Sequence, residues 1–196
     1  CAVTDQFNKE LINRLSPSIK IIANFAVGYG NIDLEAARQK NIVVTNTPEV
    51  LDDSTADISI LLLLGASRKV LEARRAAELQ NWKWSADFML GKQMSNKRLG
   101  ILGMGRIGRA VAKRARGFNM EIHYHNRNQL SKDLEEGAIY HKTIKDLFGC
   151  SDFLSINCPA TKETNKIINK ETIAFLPDNV VIGNAARGDV IDDEAM

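Results

Sequence analysis

"LGILGMGRIGRAVAKRARGFNMEIHYHNRN", Leu99–Asn128, decides the fold. It opens on a short apolar run, passes glycines at 103, 105 and 108, and continues into a helical pattern that ends at Gly117. The spacing is G-x-G-x-x-G. The first glycine permits a tight turn, the second lets a pyrophosphate approach the backbone, and the third lets the helix pack closely on the strand. The start of the helix then offers N–H groups and the positive end of its dipole to the phosphates. A strand over Arg98–Leu102 enters the turn, a helix over Gly108–Gly117 leaves it, and a strand over Glu121–His125 follows at once. Gly103, Met104, Gly105, Arg106, Ile107 and Gly108 are therefore expected to cradle the pyrophosphate of a dinucleotide.

The end of that second strand bears on which dinucleotide. An NAD site usually places Asp or Glu about 20 residues beyond the turn, to accept hydrogen bonds from the ribose hydroxyls. Here His125, Asn126, Arg127 and Asn128 occupy the region, and no carboxylate follows before Asp133. A carboxylate would repel a 2'-phosphate, whereas Arg127 can grip one with paired charge-assisted hydrogen bonds. NADP is the expected cofactor, with Asn126, Arg127 and Asn128 around the adenine ribose. The alternative is NAD, with Arg127 turned to water.

Working outward, the pattern alternates. A helix over Thr143–Phe148, a strand over Asp152–Asn157, a helix over Lys170–Phe175 and a strand over Val180–Asn184 complete a doubly wound α/β sheet. Upstream, Ser18–Phe25 reads as a buried strand. It is followed by a helix within Ile32–Lys40 that puts Ile32, Ala36 and Ala37 on one face, and by a strand over Ile42–Thr45. Pro48 breaks the chain, and Asp53-Ser54 can cap one long helix from Thr55 to Leu79 whose apolar first half should be buried on most sides. Gln80–Lys97 reads as a loop carrying Trp82, Trp84, Phe88 and Met89, which either form a contact surface or pack on the domain's own helices. Residues 1–47 are thus expected to be part of a smaller α/β domain and 48–196 a Rossmann-type domain.

Composition narrows the function classes. The chain carries 26 basic and 24 acidic residues, a balance that fits no nucleic-acid footprint. The densest basic group, Arg109, Lys113, Arg114 and Arg116, reads as a solvated helix face. No apolar run approaches the ~18 residues of a membrane span, and no signal peptide is visible. Cys1, Cys150 and Cys158 show neither paired nor metal-ligand spacing, so a reduced cytoplasmic setting and no metal are expected.

A second functional stretch, "IGNAARGDVID", Ile182–Asp192, puts Arg187 just past the carboxyl end of a strand, where open α/β sheets bind ligands. Between Ala186 and Gly188 an arginine has room to hold a small carboxylate and to polarise a neighbouring carbonyl. The alternative is a surface ion pair with Asp189 or Asp192.

Together with "ANFAVGYGNIDLEAA", "VVTNTPEVLDDSTADISILLLL", "NCPATKET" and "NAARGDVIDDEAM", these stretches resemble the D-isomer specific 2-hydroxyacid dehydrogenases, nearest to the glyoxylate and hydroxypyruvate reductases. The likeness covers nearly the whole chain in the family's order. It implies a Rossmann-type cofactor domain, incomplete at its C-terminal end, and part of a flavodoxin-like substrate domain. It also implies that Val27 and Gly28 bind the substrate carboxylate through their backbone, and that Cys158, Pro159, Thr164, Ala185 and Ala186 line the cofactor site. Arg187 would be the catalytic arginine, and the catalytic glutamate and acid–base histidine would lie beyond the C-terminus of a fragment. His123, His125 and His141 do not match that histidine. The implied reaction is NADPH-dependent reduction of a small 2-oxo acid, and Val70–Met94 resembles the family's dimer-forming region. The alternatives are a phosphoglycerate, formate, phosphite or other NAD-dependent dehydrogenase of the family, and a catalytically inactive cofactor-sensing module. The last eight residues, "DVIDDEAM", read as the opening of a helix.

Overall fold

Helix α1, Lys9–Arg14, starts where Asn8 accepts a hydrogen bond from Leu11 N–H at 2.9 Å and so satisfies a first-turn donor. Strand β1 (Ile21–Ala23), helix α2 (Leu34–Gln39) and strand β2 (Val43–Thr45) follow, and the two strands pair in parallel. The computed structural model describes residues 1–80 and 82–196; Asn81, within the stretch read as a loop, lies outside them. The chain divides into two compact units, Cys1–Leu51 and Asp52–Met196.

The first unit is built on a small core of Ile12, Ile22, Ile32, Ala36, Ala37 and Ile42. Its strand β1 is shorter than the Ser18–Phe25 expected, because a turn that closes with Ile19 N–H on Ser16 O occupies its start. At its other end the chain changes partner, and Phe25 N–H donates to Cys1 O at 2.7 Å.

The second unit opens with α3 (Asp52–Ser67) and α4 (Val70–Leu79), where one helix was expected. Two features mark the break. Lys69 takes a left-handed conformation with φ +53°, which turns the chain out of the helix, and Ser67 O accepts from Lys92 N–H at 2.8 Å there. Helix α3 also begins before the expected cap, so Asp52 and Asp53 fall in its first turn. It buries one face, Ala56, Ser59, Ile60, Leu63 and Ser67, and leaves Ile58, Leu61 and Leu62 exposed, so burial on most sides does not hold.

From there strand and helix alternate: β3 (Arg98–Leu102), α5 (Arg106–Arg116), β4 (Glu121–His125), α6 (Lys132–Glu135), β5 (Ile139–Tyr140), α7 (Ile144–Cys150), β6 (Phe153–Ile156), α8 (Lys170–Ile173) and β7 (Val181–Asn184). The five strands are all parallel in the order β5-β4-β3-β6-β7. The order reverses between β3 and β6, which makes that crevice the switch point where such sheets bind ligands. Leu99 and Ile101 of β3 pack in the core with α3 and α5, while Leu102 joins Leu147, Phe148, Leu154 and Ile156 in a second core with α7. Period-2 alternation along a strand covered on both faces produces this division. Gly100 faces α7 so closely that a Cβ there would run into Ser151.

The basic face of α5 is not simply solvated. Arg114 donates to Asp57 at 2.5 Å and to Asp53 at 3.0 Å, tying α5 to α3, and Arg116 pairs with Glu136 at 2.8 Å. The C-terminal stretch forms single 3-10 turns at Gly188–Val190 and Asp193–Ala195. Its backbone is held extended at Ile191, because Asp192 N–H donates to Ile168 O at 2.8 Å. No helix among the described residues is long and apolar enough to cross a membrane.

At the amino ends of the strands, Asp152 accepts from Arg98 Nε at 3.0 Å and Nη2 at 3.2 Å, which holds its carboxyl down to about 2. A carboxyl lowered on folding stabilises the fold fully above its unfolded value and loses that contribution as pH falls towards 2. Asp152→Asn should therefore cost on the order of 1–2 kcal/mol at pH 7, discounted for the solvent around Arg98. Urea unfolding across pH 2–7 should show the deficit shrinking between about pH 4 and pH 2. A deficit independent of pH would refute this origin.

Candidate functional site

The glycine turn sits at the switch point. Gly103 takes φ +95°, and its N–H donates to His125 O at 3.0 Å. A Cβ on Gly103 would stand 2.6 Å from Cys158 N and 2.8 Å from the Asn157 carbonyl carbon, so the loops after β3 and β6 touch here. A Cβ on Gly108 would collide with Gly103 O, which fixes the close packing of α5 on β3. Gly105 is different. It is the N-cap of α5, exposed, and a Cβ there would meet nothing within 4 Å. Space at Gly105, with the N–H groups of Ile107 and Gly108 in the first turn where no intrahelical acceptor exists, suits a pyrophosphate oxygen. The residues present thus fit a dinucleotide.

Beside the turn, Asn126 is already committed. Its Oδ1 accepts from Met104 N–H at 2.7 Å, so the side chain braces the turn from the end of β4. Arg127 and Asn128 are exposed. Asp133 is exposed on α6, and Glu135 is buried where it accepts from Tyr124 Oη at 2.8 Å, Gln129 at 2.7 Å and Lys132 at 2.8 Å. Those bonds, led by Lys132, hold its carboxyl down to about 2, while burial pushes the Tyr124 phenol up to about 12.

On the other side of the turn, Cys158 is buried at the end of the β6 loop, and burial pushes its thiol up. Thr164 closes the following loop by donating to Pro159 O at 2.6 Å, and Pro159 itself is exposed. The Thr161 hydroxyl first, and the positive charge of Arg127 among smaller effects, hold Glu163 below the usual carboxylate range.

Arg187 follows β7 and is exposed, with Nη1 donating to Ala186 O at 2.9 Å. Neither alternative ion pair forms: Asp192 is bonded by Lys166 at 2.9 Å, and no pairing of Arg187 with Asp189 occurs among the described residues. The loop is shaped by Asn184, whose Oδ1 accepts from Ala186 N–H at 2.9 Å and whose Nδ2 donates to Arg187 O at 2.8 Å. Asn184 thus closes an Asx turn, a role that its place in the sequence does not single out. With β6 between β3 and β7, Arg187 lies two strand spacings, roughly 10 Å, from the glycine turn. Arg127 lies one spacing away on the opposite side. In strand order, the loops at the sheet's carboxyl edge thus carry Arg127 after β4, the glycine turn after β3 and Arg187 after β7.

In the first unit, the carbonyl of Val27 accepts from Asn46 Nδ2 at 2.9 Å and that of Gly28 from Asn24 Nδ2 at 2.9 Å. Among the described residues the N–H groups of Val27 and Gly28 have no acceptor within the chain. Asn24 is buried and Asn46 half-buried; both position this loop, and neither was singled out from sequence.

Residues 60–196 match the D-isomer specific 2-hydroxyacid dehydrogenase family, NAD binding domain. The chain is 42% identical over 199 residues to a glyoxylate reductase of Thermococcus litoralis, covering 99% of this chain and 60% of that protein. It is 38% identical to a glycerate dehydrogenase of Hyphomicrobium methylovorum, covering 99% and 61%. The crystal structure of a glyoxylate reductase from Paecilomyes thermophila superposes with a TM-score of 0.91 at 42% identity, over 97% of this chain and 57% of that one. The chain therefore spans about 60% of the length of the curated relatives it matches. A nicotinamide-binding fold, the glycine turn at its switch point and this extent of identity lead to one assignment: the chain belongs to the D-isomer specific 2-hydroxyacid dehydrogenase family.

Proposed function

We propose that the protein carrying this chain reduces small 2-oxo acids, glyoxylate or hydroxypyruvate, to 2-hydroxy acids with NADPH. The observation that carries this reading is the placement of the glycine turn and Arg187 on one edge of one sheet. A bound nicotinamide would supply the hydride equivalent that reduces the C2 carbonyl. The chain's own residues orient and stabilise. Gly105 and the first turn of α5 hold the pyrophosphate, with Met104, Arg106, Cys158, Pro159, Thr164, Ala185 and Ala186 around the cofactor. Arg187 holds the substrate carboxylate and offsets negative charge developing on the carbonyl oxygen. Val27 and Gly28 N–H groups take a carboxylate in the first unit.

NADP is favoured over NAD by Arg127, exposed at the end of β4, and by the lack of an Asp or Glu in the run His125-Asn126-Arg127-Asn128 that ends the strand. Steady-state kinetics of the protein carrying this chain, with glyoxylate and hydroxypyruvate, test the proposal. We expect a kcat/KM for NADPH at least about tenfold that for NADH, since a lost charge-assisted pair is worth ~1.5–3 kcal/mol. Arg127→Ser should erase the difference. Cofactor binding without turnover of any 2-oxo acid would instead indicate a sensing module.

We further propose a homodimer formed through Val70–Met94. On that stretch Trp84 is 78%, Leu79 69% and Leu71 68% exposed, more apolar surface than packing on the domain's own helices leaves. Trp82 does pack internally, stacking on Phe88 with ring centroids 5.5 Å apart. The free thiols of Cys1, Cys150 and Cys158 suit a reducing cytoplasm.

A further inference from the structure

We propose that His123, His141 and Cys150 form a zinc-binding site, separate from the dinucleotide site, where β4 and the residue after β5 meet the last turn of α7. His123 Nδ1 lies 2.8 Å from His141 Nε2, and Cys150 Sγ lies 3.6 Å from the same nitrogen. The three donor atoms all fall within 4.8 Å of one another. A tetrahedral zinc ion with bonds of ~2.0–2.1 Å to nitrogen and ~2.3 Å to sulfur sets its ligands roughly 3.3–3.6 Å apart. The sulfur–nitrogen pair already has that separation, and the two imidazoles need only part by about 0.5 Å.

Two features distinguish this cluster from a chance meeting of side chains. His123 is 6% exposed, and its other ring nitrogen lies 2.6 Å from Glu121 Oε1, an arrangement that holds the tautomer with Nδ1 unprotonated and mirrors the carboxylate–histidine–zinc pairing of metal sites. The ligands also stand on regular backbone: His123 within β4, Cys150 at the end of α7, and His141 fixed by its N–H to Tyr124 O at 2.8 Å. His141 and Cys150 are half-buried, which leaves an entry path and a fourth position for water. Binding would replace the imidazole–imidazole hydrogen bond with two nitrogen–zinc bonds. The His141 proton moves from Nε2 to Nδ1, and the Cys150 thiol proton is released to solvent as the thiolate binds. The separations in sequence, 18 residues from His123 to His141 and 9 from His141 to Cys150, match no metal-ligand spacing, which is why no metal was expected from sequence.

The test uses the full chain with Cys1→Ser, which removes the exposed thiol. Zinc is titrated against a chromophoric chelator, and cobalt(II) serves as a spectroscopic probe. We expect one ion per chain and a thiolate-to-cobalt charge-transfer band that zinc abolishes. Cys150→Ser and His141→Ala should each weaken binding at least about 100-fold, and Glu121→Gln about 10–100-fold. Circular dichroism identifies any variant that fails to fold; Cys150→Ser, a near-isosteric change, then decides alone. Absence of stoichiometric zinc binding in the Cys1→Ser chain, or binding unchanged by Cys150→Ser with no cobalt–thiolate band, would overturn the proposal and leave a purely hydrogen-bonded cluster.

Discussion

Gly105→Ala should leave the chain as stable as the wild type and weaken NADPH binding by at least about 100-fold, whereas Gly103→Ala should damage the fold itself. The contrast comes from what each added methyl meets. At Gly105 the backbone, with φ −79° and ψ −154°, accepts any L-residue, and the methyl projects into open space, where we propose that the pyrophosphate lies. At Gly103 the backbone holds φ +95°, and the methyl is forced against the main chain of Asn157 and Cys158. Left-handed strain of ~1–3 kcal/mol adds to an overpacking cost of ~1–3 kcal/mol. Urea unfolding and NADPH titration of both variants separate the two roles. A Gly105→Ala chain that binds NADPH normally would remove the pyrophosphate from this turn.

The second large effect is expected at Arg187. In the protein carrying this chain, Arg187→Gln should lower kcat by about 100- to 1,000-fold with 2-oxo acids, the usual cost of losing one preorganised donor to a developing oxyanion. NADPH affinity should stay within about threefold, because Arg187 lies two strands from the glycine turn. Arg187→Lys should recover only part of the activity, since a point charge cannot replace the planar fork. Equal losses in NADPH binding and turnover would place Arg187 in cofactor binding instead.

The parts of the fold that were legible in the sequence are those where one local rule acts unopposed. Strands β3 and β4 lie where the apolar pattern put them, because glycine turns and the doubly covered sheet leave no competing arrangement. The break between α3 and α4 was hidden, since one feature that marks it, Lys92 N–H on Ser67 O, comes from a residue 25 positions later. The short elements α1, α6 and β5 carry too few residues to show a period. In the candidate site, the glycines and arginines could be named from type and spacing. The asparagines that brace the loops, at 24, 46, 126 and 184, act through single hydrogen bonds to backbone and leave no periodic signature. The His123–His141–Cys150 cluster was illegible for a related reason: pairing of β4 with β5, and packing of α7 on β4, bring together residues that no linear spacing relates.

Arg127 carries the most specific part of the functional reading, and it can be tested on the chain directly. Equilibrium titration with NADPH and with NADH, followed by fluorescence, compares the two dissociation constants. The predicted result is NADPH binding at least about tenfold tighter, a difference of about 1.4 kcal/mol that Arg127→Ser abolishes. NADH binding as tightly as NADPH, or more tightly, would contradict it.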